Sequence, residues 1–286
     1  MMTKFLNSAV ILPSVRILSW NVNGLRSFLR HDEQGINLSE LLNRRNVDIL
    51  CLQETKLQEM HVPDVEEQMR KILSPDSRYF WYCSTGRKGY SGTATIVLNK
   101  AVEVSDVNYG NHCEDGNIEG RMITVHTPQF SLINTYVPNS GDKLVRLDFR
   151  TKIWDKQFQE YIHSLRSESP SRPIILTGDF NVAHTDLDHF NYLDPRAKKV
   201  AGTTPAEKES FHTHFLTQGF WDTYREAFPT ERGYSYYSAR KGRIGRQMRQ
   251  GWRLDYVLTD LSYSIDKVPS LPYIEEEVRK RENNTI

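Results

Sequence analysis

Apolar and polar positions along the chain follow two periods, and the shorter one recurs most often. β-branched, strand-length runs stand at Val15–Trp20, Val47–Leu52, Thr93–Leu98, Arg121–Val125, Leu132–Val137, Pro173–Thr177 and Leu254–Leu258. Each is bounded by Gly, Pro, Asn or Asp, residues that end extended segments. The longer period shows in Leu144–Leu165, where Leu147, Trp154, Phe158, Tyr161 and Leu165 keep roughly helical spacing. A second helix is predicted to start at Thr204-Pro205-Ala206-Glu207. An N-cap threonine, a proline in the first turn and a glutamate at the third position form a capping box. Phe211, Phe215 and Leu216 are then expected to face the core. Many short strands with a few helices imply an α/β chain whose sheets pack on each other.

Composition changes this picture little. The chain has 286 residues with 38% hydrophobic and 26% charged side chains, an ordinary globular balance. No internal repeat or linker divides it, so one domain over residues 15–260 is expected. Residues 1–14 are expected to form a tail rather than a targeting presequence, and 261–286 a divergent, highly charged one. The net charge of +1 gives no global field towards nucleic acid, so any attraction must come from a local patch. Cys51, Cys83 and Cys113 are too few and too scattered for a disulfide framework, which favours a reducing compartment. No apolar stretch approaches membrane-spanning length.

Polar clusters stand at the ends of five of the strand-like runs, where a scaffold presents functional groups. The first contains Asn21 and Asn23, and the second places Glu54 directly after an apolar run. A carboxylate there is either a surface charge or a hard oxygen ligand for Mg²⁺. The third offers Tyr136 and Asn139. The fourth, Gly178-Asp179-Phe180-Asn181, projects an acid and an amide from one strand end. Such an acid can take a proton from water while the amide holds developing oxyanion charge. The fifth is Gly251-Trp252-Arg253-Leu254-Asp255-Tyr256. Before it, residues 232–253 hold Arg240, Arg246, Arg249 and other basic residues with no acid, interleaved with Tyr236, Tyr237 and Trp252. Basic residues neutralise phosphates and aromatic rings stack on bases. Taken singly, each cluster is as well explained by a turn, a packed ring or a solvated loop. Together they suggest metal-assisted phosphoryl chemistry.

In the same order along the chain, Trp20-Asn21-Val22-Asn23-Gly24, Gln53-Glu54-Thr55-Lys56, Glu119-Gly120-Arg121, Tyr136-Val137-Pro138-Asn139, Gly178-Asp179-Phe180-Asn181-Val182-Ala183-His184 and Gly251-Trp252-Arg253-Leu254-Asp255-Tyr256 resemble exonuclease III and the eukaryotic AP endonucleases. The resemblance runs from about Val15 to Leu258. It implies a four-layered α/β sandwich, with two mixed sheets face to face and helices outside. It also implies a Mg²⁺ site (Mn²⁺ as substitute) at Glu54, Asn21 and Asn23, with Asp179 and Asn181 beside it. Tyr136 and Asn139 are then expected at the scissile phosphate, Asp179 at the attacking water, Asn181 at the transition state and Asp255 behind a catalytic histidine. Arg146, Tyr236, Tyr237, Arg240, Arg246, Arg249 and Trp252 are expected along the DNA. The implied activity is hydrolysis of the phosphodiester 5′ to an abasic site in double-stranded DNA, with 3′-exonuclease or phosphodiesterase activity beside it. A monomer is expected, nuclear in a eukaryote and cytoplasmic in a bacterium.

The pattern departs from the family near its end. The family closes on Gly-Ser-Asp-His and a last apolar strand, whereas here no histidine follows His214. The last strand of one sheet is therefore expected to be missing. The competing expectation is a truncated or spliced homologue that binds DNA but turns over poorly. Lipid phosphodiesterases of the same superfamily share the acidic clusters but lack the Tyr-Val-Pro-Asn and Gly-Trp-Arg-Leu-Asp-Tyr motifs.

Overall fold

The computed structural model describes residues 15–110, 118–238 and 242–260. The expected tails and Arg240 lie outside the described residues.

All seven runs read from the sequence are strands, joined by three more. The first sheet has four strands in the order β1 (Ile17–Asn21), β2 (Ile49–Gln53), β4 (Thr93–Val97), β3 (Arg78–Tyr82). The second has six, ordered β5 (Asp106–Tyr109), β6 (Met122–His126), β7 (Ser131–Tyr136), β8 (Ile174–Asp179), β10 (Asp255–Asp260), β9 (Phe220–Asp222). β1–β2 and β7–β8 pair in parallel and the other neighbours antiparallel. The unforeseen strands β3, β5 and β9 are all sheet edges. An edge strand buries less of itself and so shows a weaker apolar pattern. Among the described residues β1 pairs on one side only. The missing-strand expectation concerns residues outside the described ones.

Strand parity explains the layers, because successive side chains point to opposite faces. In β2, Leu50 and Leu52 pack outwards with Leu38, Leu41, Val65 and Met69 of helices α2 (Asp32–Arg44) and α3 (Val62–Ile72), which follow the short α1 (Leu25–Leu29). Ile49 and Cys51 point the other way, against Phe130 and Leu132 of the second sheet. In that sheet Ile133, Leu176, Tyr256 and Leu258 face outwards onto Phe158 and Ile162 of α4 (Asp155–Glu168) and Phe211 of α5 (Pro205–His214). Both faces of β2, β4, β6 and β7 are thus buried, which is why their sequences are nearly continuous apolar runs. Helix, sheet, sheet and helix are the four layers. Truncating a central residue such as Leu50 to alanine is expected to cost roughly 2–5 kcal/mol.

The capped helix begins as the sequence predicts. The Thr204 hydroxyl accepts from the backbone N–H of Glu207, and the Glu207 carboxylate accepts from that of Thr204. The helix expected over Leu144–Leu165 differs. Lys143 and Leu144 have left-handed φ of 53° and 62°, and Phe149–Trp154 forms a π-helical turn before α4 starts. The wider π register lets buried Arg150 reach Asp155, five residues on, with Nε 3.0 Å from Oδ1.

Candidate active site

The same parity that builds the layers builds the site. On the inter-sheet faces, β1, β2, β7 and β8 each run from apolar to polar: Ile17-Ser19-Asn21, Ile49-Cys51-Gln53, Leu132-Asn134-Tyr136 and Ile175-Thr177-Asp179. Midway, the Gln53 amide donates to Asn134 Oδ1 (2.7 Å) and to Ser19 Oγ (3.0 Å), stitching the sheets together with buried amides. Above that rung, the parallel strands β1/β2 and β7/β8 deliver their C-terminal ends to one place. Antiparallel β10 adds its first residue, with Asp255 opposite Asp179 and Asp179 opposite Tyr136.

At this end Asn21 Nδ2 donates to both Glu54 Oε1 (2.9 Å) and Asp179 Oδ2 (2.8 Å), so one amide spans two acids. The Tyr136 hydroxyl donates to Glu54 Oε1 (2.9 Å), and Lys56 Nζ lies 3.1 Å from Glu54 Oε2. The backbone N–H of Asn181 donates to Asp179 Oδ1 (2.8 Å), and Asn139 Nδ2 donates to Asn181 Oδ1 (2.9 Å). Asn23, Glu54, Lys56 and Asn181 all have left-handed φ, at 49°, 51°, 55° and 49°. Such a backbone is uncommon for side chains like glutamate and lysine. It is held here by Gly24 N donating to Glu54 O (2.7 Å) and Lys56 N to Ser91 O (2.8 Å). Gly178 is forced by the close β7–β8 approach, since a Cβ there would lie 1.9 Å from Thr135 O.

Electrostatics separate the two acids. Burial alone would raise Glu54, but the Asn21 hydrogen bond, the Lys56 charge and the Tyr136 hydroxyl outweigh it and hold the group below its ordinary value. Burial pushes Asp179 well above the usual carboxylate range, and facing Asp255 pushes it further against the N–H donors of Asn21 and Asn181. A carboxyl raised in this way is a stronger base for water. Tyr136 is raised well above its ordinary value, first by burial and then by Glu54, and stays a hydrogen-bond donor.

Among the described residues no group of three or more His, Cys, Asp or Glu is spaced to hold a metal ion. The donor set still fits a hard cation that keeps most of its water, because Mg²⁺ takes one or two carboxylates. Glu54, ionised and with its side chain 20% exposed, is the accessible oxygen donor. Three expected amide ligands point their oxygens elsewhere: Asn21 Oδ1 accepts from Asn23 N (3.0 Å), Asn23 Oδ1 from Lys56 and Asn181 Oδ1 from Asn139.

The family model of the Endonuclease/Exonuclease/phosphatase family matches residues 18–274, most of the chain. The chain belongs to this family. It is 38% identical over 245 residues to a DNA-(apurinic or apyrimidinic site) endonuclease of Dictyostelium discoideum, covering 85% of this chain and 61% of that protein. It therefore spans less than two thirds of that relative. It is 36% identical over 250 residues to an exodeoxyribonuclease of Bacillus subtilis, covering 87% of this chain and 89% of the relative. The crystal structure of an AP endonuclease from Leishmania major superposes with a TM-score of 0.77 at 28% identity, over 91% of this chain and 84% of that one. The resemblance to exonuclease III and the AP endonucleases stands.

Arg146 is half-buried, donates to Tyr90 Oη (2.8 Å) and Glu119 Oε2 (3.2 Å), and stacks on Phe149. Arg121, part of a matching motif but expected in no particular role, joins the same network. It donates to Tyr136 O (2.9 Å) and lies 4.7 Å from the Tyr136 ring centre, backing that phenol. The basic-aromatic segment abuts the site through Ser235 Oγ, which accepts from the backbone N–H of Asp255 (3.1 Å). Tyr236 is exposed and bridges to Trp252, whose ring also meets His189. Arg246 lies over the Tyr237 ring in the short helix α7 (Gly242–Gln247), and exposed Arg249 follows it. Gly251 is required here, because a Cβ would fall 2.8 Å from Tyr236 O.

Sequence reasoning missed the fixture under that segment. Buried Arg253 donates to both oxygens of Asp188 (2.7 and 3.1 Å) and of Asp222 (2.9 and 2.6 Å). Asp222 also caps helix α6 (Thr223–Ala227) by accepting from Arg225 N. The paired guanidinium groups of Arg253 and Arg225 overcome burial and hold Asp188 down to about 2. The one available signal was an arginine inside an otherwise apolar strand approach.

Proposed function

We propose that this chain hydrolyses the phosphodiester 5′ to an abasic site in double-stranded DNA, acting as a monomer with Mg²⁺, for which Mn²⁺ substitutes. A 3′-exonuclease or phosphodiesterase activity is expected from the same site. The observation that carries this reading is the convergence of Glu54, Tyr136, Asp179 and Asn181, from strands β7 and β8 and the loops after β2 and β8, within hydrogen-bond contact of one another or of a shared amide. The relatives' names, one an abasic-site endonuclease and one an exodeoxyribonuclease, support the same reaction class.

Each residue has a role its surroundings permit. Glu54 would hold the cation, which when bound supplies positive charge to the phosphate oxygens. Asp179, with its proton affinity raised, accepts the proton of the attacking water. Tyr136 and the amides of Asn139 and Asn181 orient the phosphate and donate to its oxygens as charge builds. The exposed Tyr236 and Arg249, with the half-buried Trp252 and Arg246, hold the duplex beside the site. No helix among the described residues is long and apolar enough to cross a membrane. A nuclear or cytoplasmic setting fits a repair nuclease.

A second reading is a DNA-binding homologue of low turnover. It is favoured by the lack of any histidine after His214, which leaves the segment following Asp255 without an imidazole to offer it. Incision of a duplex with one abasic-site analogue, with Mg²⁺ and with EDTA, separates the two. Cleavage that needs the metal and spares the intact duplex supports the enzyme. Binding without cleavage supports the homologue.

A further inference from the structure

The capping-box glutamate of α5 does more than a cap requires. A capping box asks of Glu207 one hydrogen bond, from the N–H of Thr204. The fully buried Glu207 carboxylate accepts others as well. The Ser140 hydroxyl donates to Oε1, the backbone N–H of Gly202 donates to Oε1 and Oε2 (2.9 and 2.8 Å), and the Thr204 hydroxyl donates to Oε2 (2.7 Å). One of these partners, Ser140, follows Asn139 in the chain, and another, Gly202, packs against the segment that carries Asn181.

Ser140 follows Asn139 in the turn after β7. That turn is closed by Gly141 N donating to Asn139 Oδ1 (2.8 Å) and by Arg146 N donating to Ser140 O (2.9 Å). Ser140 is fully buried while its neighbour Asn139 is exposed, so the turn hangs from Ser140. Gly202 lies against the strand end after β8. Its carbonyl accepts from Ala183 N (2.7 Å), and a Cβ on it would come within 3.2 Å of Asn181 O. One carboxylate therefore grips both the Asn139 turn and the Asn181 segment from behind. On the exposed side the same two residues meet through Asn139 Nδ2 and Asn181 Oδ1, 2.9 Å apart.

We infer that Glu207 is a positioning residue which, through Ser140 and Gly202, fixes the spacing of Asn139 and Asn181. The inference rests on the proposed use of those two amides at the phosphate. Each hydrogen-bond partner of the carboxylate donates to it, so an apolar side chain in its place would strand buried donors. Displacing a reacting constellation by about 1 Å can cost on the order of 10²-fold in rate. A spacing held from behind matters most when the amides tighten on the transition state. Its loss is read in kcat more than in KM.

The test uses Ser140→Ala, which removes only the link to the turn and leaves the helix cap in place, beside Glu207→Ala, Asn139→Ala and the Ser140→Ala/Asn139→Ala double variant. Incision of the abasic duplex is measured at saturating and limiting DNA, with thermal melting of each protein. Ser140→Ala is expected to lower kcat by roughly tenfold with KM little changed. Added to Asn139→Ala it is expected to cost nothing further, because it acts through that residue. Wild-type kcat in a folded Ser140→Ala variant, or a loss that multiplies with that of Asn139→Ala, overturns the inference while leaving the proposed function intact. Undiminished incision by Asn139→Ala overturns the phosphate role of Asn139 itself, and the inference with it.

Discussion

Two neighbouring regions of the molecule are built on opposite plans. At the strand ends nearly every polar side chain is tied to another, and four residues sit in left-handed backbone held by crossing hydrogen bonds. In the adjoining segment, residues 232–252, Tyr236, Ile244, Met248 and Arg249 face solvent. Its anchors include the Ser235 hydroxyl at Asp255, the Tyr236–Trp252 bridge and the buried Arg253 beneath. Chemistry on a phosphate needs groups fixed to fractions of an ångström, whereas holding a charged polymer needs accessible charge and ring faces. The contrast predicts that changes in the first region alter rate at saturation, and changes in the second alter affinity.

The largest expected effect is at Glu54. Glu54→Gln keeps the shape but removes the ionised donor, and incision at saturating DNA is expected to fall by about 10²-fold or more. Single-turnover kinetics read this directly, and an affinity loss alone would blur the contrast. Next is the fixture beneath the segment. Arg253→Met leaves buried Asp222 without its guanidinium and Asp188 with Arg225 alone, and urea denaturation is expected to show a loss of roughly 3–5 kcal/mol. A change within noise would mean that the ion pairs contribute nothing net. Trp252→Ala is smaller, with binding weakened by about 1–3 kcal/mol and kcat preserved. A fall in kcat at saturating DNA would place Trp252 with the first region instead.

The smallest effect concerns acid. Burial, ahead of any neighbouring charge, holds His184 and His189 down to about 4, so both are neutral in the fold where the unfolded chain binds protons from near 6.5. Their contribution to stability is complete above about pH 6.5 and declines as pH falls towards 4. The drop in urea midpoint between about pH 7.5 and 4.5 should be smaller in His184→Asn than in the wild type. An equal drop would remove His184 from the acid response.

Much of this arrangement was legible in the chain. The central strands and the capped helix have patterns strong enough to read, because both strand faces are buried and the capping box is local. Asn21, Glu54, Tyr136, Asp179 and Asn181 were placed at strand ends, and they do converge. Column parity, with Ser19 below Asn21 and Asn134 below Tyr136, shows why. The edge strands β3, β5 and β9 escaped because half-exposed strands mix ring, charge and amide without clear alternation. Side-chain orientation escaped too, since nothing local says that Asn21 turns its nitrogen to the acids. Asp188 and Asp222 lie far apart in sequence and each resembles an ordinary turn residue, so only the fold reveals their shared arginine.

The most direct test of the division of labour is Asp179→Asn, with equilibrium binding and single-turnover incision measured on the same abasic duplex in Mg²⁺. The amide keeps the shape and cannot take a proton from water. Binding within about threefold of wild type, with incision reduced by roughly 10²–10⁴-fold, is the predicted result. Incision at the wild-type rate, or binding lost in step with incision, would contradict it.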